Sequence, residues 1–309
     1  MTKVLVTPRS FAKADPAPLA LLQERGYEVV RNATGGILTE AQLGELLADC
    51  DGVILGVDPL TADVIKSAPK LRAVSKYGVG VDNIDLDACA ARGIKVSRTV
   101  GANSDAVADY AFALILALAR KVIPIDARCR KSDWSKITTS DVYGKTLGLI
   151  GLGAIGRRAA RRAKGFSMRV LAYDVGWDEA YARAEGIELA EIDTIMQDCD
   201  FISLHLPLLD STRGIISAER IARMKPTAYL INTARGGLID EAALLSALRE
   251  NRIAGAGLDA FAQEPPEEKE WFTLDNVVLG SHCSASTAGA AEAMGRMAAE
   301  NLIADLANS

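Results

Sequence analysis

Thr146-Leu-Gly-Leu-Ile-Gly-Leu-Gly-Ala-Ile-Gly156 is a short apolar run that ends in Gly-x-Gly-x-x-Gly. The glycine pattern alone is common; its weight comes from the strand before it and the helix, predicted over 157–163, behind it. Gly151 permits the tight turn, Gly153 lets a pyrophosphate approach the backbone, and Gly156 lets helix and strand pack closely. The free N–H groups of the helix start then face the phosphates. The next strand, Met168-Arg-Val-Leu-Ala-Tyr-Asp174, ends in an acid 18 residues after Gly156. A carboxylate there accepts from both ribose hydroxyls of NAD and repels a 2′-phosphate. Val175, Gly176 and Trp177 follow, with no arginine. The pattern predicts an NAD-binding Rossmann lobe.

Outward from this point, strands alternate with helical stretches in both directions. Upstream, strands are predicted at 3–7, 27–30, 53–55, 71–75 and 94–97. Asp15-Pro16 opens a helix that Gly26 ends, and Thr39-x-x-Gln42 is a capping box. Ser104 caps a long Ala- and Leu-rich helix over 105–120. Downstream, strands are predicted at 147–150, 169–173, 201–204, 228–231, 255–258 and 277–279, then a helix over 285–306. Such alternation implies parallel sheets with helices on both faces, so the expected fold is α/β with two doubly wound lobes. A terminal helix packing back on the first lobe would divide the chain into 1–100 plus 285–309 and 101–284.

A length of 309 residues agrees with two domains and needs no disulfide or metal staple. Hydrophobic residues are 49%, charged residues 24% and the net charge −5, without a basic run, which argues against nucleic acid or an anionic membrane as partner. The start is too short in apolar residues for a signal peptide, and the uncharged stretch 110–119 is too short for a membrane span. Cys50, Cys89, Cys129, Cys199 and Cys283 are scattered, which fits a reduced cytoplasmic protein without zinc. His205 and His282 are the only histidines, so any imidazole chemistry must use one of them.

Three stretches at strand ends of the second lobe carry the chemistry: Ile231-Asn-Thr-Ala-Arg-Gly-Gly237, Gly257-Leu-Asp-Ala-Phe-Ala-Gln-Glu-Pro-Pro266 and Gly280-Ser-His-Cys-Ser284. With Tyr77-Gly-Val-Gly-Val-Asp-Asn-Ile-Asp85 and the glycine loop, the chain resembles the NAD-dependent D-2-hydroxyacid dehydrogenases, particularly the phosphoglycerate dehydrogenase branch. The resemblance implies a flavodoxin-like substrate lobe, substrate between the lobes and a homodimer. It also implies that Arg235, Glu264 and His282 form the active site. Those residue types suit hydride transfer. A guanidinium binds a carboxylate and polarises the adjacent carbonyl. Imidazolium delivers the proton as the alkoxide forms, and an ionised Glu264 beside His282 favours the charged ring.

The resemblance further assigns the nicotinamide carboxamide to Asp259 and a supporting place over the cofactor to His205, Leu206 and Pro207. Ala154, Ile155, Thr212, Thr233, Ala234, Arg235, His282 and Ser284 complete the expected cofactor contacts. Two positions depart from the usual pattern: Ser281 stands where a proline commonly precedes the histidine, and Ala154 where a basic residue is frequent.

On the substrate side, the backbone N–H groups of Gly78 and Val79 are expected to cradle a carboxylate. Lys76, Tyr77, Arg9 and Ser10 are the other candidates. Two cations and a hydroxyl at one sheet edge suggest a second anionic group, as in 3-phosphoglycerate, although Lys76 and Arg9 also read as solvated charges. The loop Leu55-Gly-Val-Asp-Pro-Leu60 lacks an arginine that the phosphoglycerate branch carries, which leaves hydroxypyruvate, glyoxylate or another small acid open. Two rivals resemble the same scaffold, an NAD(H)-sensing corepressor-like protein and a phosphite-oxidising dehydrogenase. The helix over 105–120 and the segment through Trp134 supply the apolar surface expected of a two-fold dimer.

Overall fold

Short apolar runs separated by helices pair as parallel strands in the computed structural model, which describes residues 1–308. In the first sheet β1 (Lys3–Val6), β2 (Glu28–Arg31), β3 (Gly52–Leu55), β4 (Ala73–Lys76) and β5 (Lys95–Arg98) lie in the order β2-β1-β3-β4-β5. The second contains β6 (Thr146–Ile150), β7 (Arg169–Tyr173), β8 (Glu188–Leu189), β9 (Phe201–Leu204), β10 (Tyr229–Asn232), β11 (Gly255–Leu258) and β12 (Val277–Leu279). Their order is β12-β11-β10-β9-β6-β7-β8. The pairings in both sheets are parallel. The first order is the flavodoxin-like one, and the second is the Rossmann order with one more strand. Strand order reverses between β1 and β3 in one sheet and between β6 and β9 in the other, and such switch points are where doubly wound sheets hold ligands.

The chain divides into Met1–Asn103 together with everything from Ala285 onward, and Ser104–Ser284. The terminal helix, Ala288–Ala307, packs on β3, β4 and β5. It adds Ala298, Ala299, Leu302 and Leu306 to a core of Val4, Val6, Phe11, Ile54 and Ala73. Gly52 makes room for it, since a Cβ there would stand 3.0 Å from Leu302 Cδ1. The helix begins later than the expected 285 because Thr287 caps it, accepting from the Ala290 N–H at 3.1 Å.

Local signals explain most helix starts. Asp15 accepts from the Ala17 N–H at 2.9 Å ahead of the helix Ala17–Glu24, and Gly26 leaves that helix with φ +75°. Thr39 and Gln42 form the reciprocal capping box of Glu40–Leu47. The long helix is Ser104–Ala119, so Ser104 is its first residue rather than its cap. Much of its apolar surface is used inside its own unit, while Tyr110, Leu116 and Ala117 stay half-buried and Ala113 exposed. Ala108, Ala111, Phe112, Leu114, Ile115 and Leu118 are buried with Leu147, Leu149 and Ile231. Among the described residues no helix is long and apolar enough to cross a membrane.

Candidate active site

The glycine loop after β6 is built by close approach. Gly151 has φ +108°, and a Cβ there would lie 2.6 Å from the His205 carbonyl carbon. At Gly156 a Cβ would meet the Gly151 oxygen at 2.0 Å, so the helix Ala154–Gly165 sits hard against the turn. Gly153 caps that helix and has open space where a side chain would stand. The first-turn residues Ala154 and Ile155 follow it. Asp174 lies just beyond β7, its Oδ2 accepting from the Leu152 N–H at 2.6 Å and its Oδ1 from Gly176 at 3.2 Å.

Across the switch point, His205 follows β9. Its Nε2 pairs with Ser203 Oγ at 3.0 Å, and burial pushes the imidazole down to about 4. The ring is therefore neutral near pH 7 and unsuited to deliver a proton. Leu206 is buried beside it and Pro207 is exposed. Thr212 is occupied by its own turn, donating to the Pro207 carbonyl at 2.7 Å and accepting from the Leu209 N–H at 2.8 Å.

The strand β10 delivers Arg235. Asn232, at its buried end, accepts from the Ala234 N–H at 3.0 Å and donates to the Arg235 carbonyl at 2.9 Å, folding the Thr233–Arg235 segment back on itself. Arg235 Nη1 donates to the Ala234 carbonyl at 2.8 Å. A Cβ at Gly236 would lie 1.9 Å from the Phe261 carbonyl carbon, so only glycine lets this segment touch the one that carries Glu264. Sequence reasoning missed Asn232; its signal is a polar residue closing an otherwise apolar buried strand.

Glu264 reaches His282, with Nδ1 lying 3.0 and 2.9 Å from Oε1 and Oε2. A carboxylate can only accept, so Nδ1 carries the proton and Nε2 is left for substrate. Burial works to raise the Glu264 carboxyl. The His282 hydrogen bond, the Phe261 N–H at 3.0 Å and the charges of His282 and Arg235 outweigh it, holding the group below its ordinary value. Glu264 and His282 are thus in contact, and the charge of Arg235 acts on the same carboxylate.

Asp259 builds the loop that carries His282. Its carbonyl accepts from the His282 N–H at 2.9 Å, its Oδ1 from Cys283 N–H at 2.9 Å and its Oδ2 from Ser284 N–H at 2.8 Å. Both carboxylate oxygens of this buried residue hold the loop, and each keeps a lone pair with which the carboxamide contact expected of Asp259 would be made. Ser284 is itself buried, and its backbone is part of that clamp.

The substrate-side candidates belong to the other unit, where Ser10 meets Tyr77 while Lys76 is bonded elsewhere. Lys76 is buried, and its ammonium donates to the Gly56 carbonyl and to Asn83 Oδ1 at 2.7 Å. Tyr77, the next residue, turns elsewhere: its hydroxyl donates to the Ala291 carbonyl at 2.9 Å and accepts from Ser10 Oγ at 3.3 Å. Arg9 is exposed and Val79 half-buried. The Gly78 N–H, expected to cradle a carboxylate, donates to Thr99 Oγ1 at 2.9 Å. This is a correction: one of the two expected cradle donors is already used by the fold.

The second unit suits a dinucleotide. Gly153 opens the helix start, and Asp174 is tied to the glycine loop. Among the described residues, two buried polar atoms near these loops, His205 Nδ1 and Thr233 Oγ1, have no protein partner. The glycine loop would hold the pyrophosphate, Asp174 the ribose, and Thr233 with Ala234 the neighbouring backbone. Residues 112–284 match the family described as D-isomer specific 2-hydroxyacid dehydrogenase, NAD binding domain. A glyoxylate reductase of Korarchaeum cryptofilum (strain OPF8) is 44% identical over 268 residues, covering 84% of this chain and 81% of that protein. The D-3-phosphoglycerate dehydrogenase of Methanocaldococcus jannaschii is 41% identical over 306 residues, covering 98% of this chain but 57% of that protein. The crystal structure of D-lactate dehydrogenase from Aquifex aeolicus, complexed with NAD and lactic acid, superposes with a TM-score of 0.85 at 29% identity, covering 99% of this chain and 96% of that one. The chain belongs to the D-isomer-specific 2-hydroxyacid dehydrogenases, and its coenzyme is NAD.

Proposed function

We propose that the protein reduces a small, unphosphorylated 2-keto acid, of the glyoxylate or hydroxypyruvate class, to the corresponding 2-hydroxy acid, the D-isomer where C2 is a stereocentre. The observation that carries this reading is the Glu264–His282 pair beside Arg235. Bound NADH supplies the hydride. Arg235 binds the keto acid's carboxylate and draws charge toward the carbonyl oxygen. Glu264, ionised, fixes the His282 Nδ1–H, and His282 Nε2 gives its proton to the oxygen that becomes the hydroxyl. In the oxidation direction the same nitrogen takes that proton back.

The state of Lys76 supports a substrate without phosphate. Its buried ammonium spends two of its donors on Gly56 and Asn83 inside the first unit, which weakens its suitability for binding a second anionic group. The name of the Korarchaeum relative points the same way. Rates of NADH oxidation with glyoxylate, hydroxypyruvate, pyruvate and phosphohydroxypyruvate test it. Glyoxylate or hydroxypyruvate should give the highest kcat/KM, and a strong preference for the phosphorylated acid would overturn it.

A homodimer completes the reading. With much of the helix Ser104–Ala119 used internally, its support narrows to Val122, Ile123 and Trp134, the last 81% exposed. Light scattering should give twice the chain mass, and a monomer at micromolar concentration refutes the dimer.

A further inference from the structure

Glu241 opens the helix Glu241–Arg249, yet the helix does not need its side chain as a cap. Asp240 does that work, accepting from the Ala243 N–H at 3.0 Å. Glu241 instead turns its Oε1 to the Ala262 N–H at 2.7 Å. Ala262 lies within the segment that carries Glu264, and the preceding amide, Phe261 N–H, is held by Glu264 itself at 3.0 Å. Consecutive amides of one short loop are therefore fastened by two carboxylates. The Glu241 helix also follows directly from the turn Gly236–Leu238 after Arg235, so this bond joins the arginine segment to the glutamate segment.

We propose that Glu241 is a positioning residue for the hydride-transfer reaction: its carboxylate sets the loop that presents Glu264 to His282. A hydrogen bond from an amide to an ionised carboxylate is about twice as strong as a neutral one, which suits it to hold a loop. The arrangement has an electrostatic consequence. Burial and the charge of Glu264 both raise the Glu241 carboxyl, opposed by the Ala262 amide. Two like charges share this corner because each has its own donors, Ala262 for one, His282 and Phe261 for the other.

The inference rests on the active-site reading above, and the test separates the two. Glu241→Ala should lower kcat by about 10-fold, the order expected when a positioned group slips by less than an ångström, with KM for NADH unchanged. Glu241→Gln keeps an acceptor oxygen and should recover most of that loss. In a Glu264→Gln background, Glu241→Ala should cost nothing further, because its effect passes through Glu264. Wild-type turnover in Glu241→Ala, or the same fold-loss in both backgrounds, overturns the proposal. Wild-type turnover in Glu264→Gln alone overturns the active-site reading beneath it.

Discussion

His282 has φ +56°, a left-handed conformation that costs a non-glycine residue about 1–3 kcal/mol. The strain is sustained by the three Asp259 bonds to consecutive amides, and it aims the ring at Glu264. Replacing His282 by Ala removes the proton donor and leaves the glycine loop intact. Turnover should fall by about 10²- to 10⁴-fold while NADH binding, followed by its fluorescence, is retained. Acid should also weaken the pair in a defined direction. The Glu264 carboxyl is lower in the folded chain than in the unfolded one, so the unfolded chain takes up the proton first. The stabilisation is then complete above the ordinary value of about 4.3 and disappears as pH falls through the lower native value. The difference in Tm between wild type and Glu264→Gln should be positive at about pH 7 and shrink on acidification; growth of that difference at low pH would contradict the pairing. At this scale the sequence is readable where chemistry restricts residue type, as at Arg235, Glu264 and His282. The roles of Asn232 and Glu241 are not, because they act on backbone groups whose identity depends on the path of the chain, even where residue type alone, as at the polar end of β10, marks the position. Gly78 and Lys76 show the converse: a suggestive type whose donors the fold has taken in whole or in part.

The glycine loop follows β6, which lies between β9 with His205 on one side and β7 with Asp174 on the other. Asp174 marks the end of β7, and its carboxylate belongs to both the loop and the expected ribose site. Asp174→Ala should therefore narrow the preference for NADH over NADPH, measured as the ratio of kcat/KM values, by removing the charge that repels a 2′-phosphate. An unchanged ratio would place discrimination elsewhere. Most strands were legible from their apolar runs, and their ends shifted by only a residue or two. The exception is β8, two residues long, which has no periodicity to read. The terminal helix was misjudged at its start because alanines at 285 and 288 look alike until Thr287 supplies a cap.

Each unit contains its own apolar cores, and the one spanning Ser104–Ser284 is continuous in sequence. A continuous segment with this much buried surface should fold alone. Residues 104–284, expressed separately, should melt cooperatively and bind NADH by titration calorimetry. A segment that folds but binds no NADH would show that the dinucleotide site is misassigned. The two-lobe organisation was legible because βα alternation stops at the long helix and restarts at 146. The helix's burial was not, since the same Ala- and Leu-rich face serves an internal neighbour or a second chain equally well.

The first sheet waits for a helix that comes after the whole of the second unit. On the ribosome, Val4, Val6, Phe11 and Ile54 emerge early and stay without their Leu302 and Leu306 cover until the second unit has been made. The nascent N-terminal segment therefore offers a sticky surface to chaperones while the second unit is being made, and that middle stretch of the chain has everything it needs to fold as it emerges.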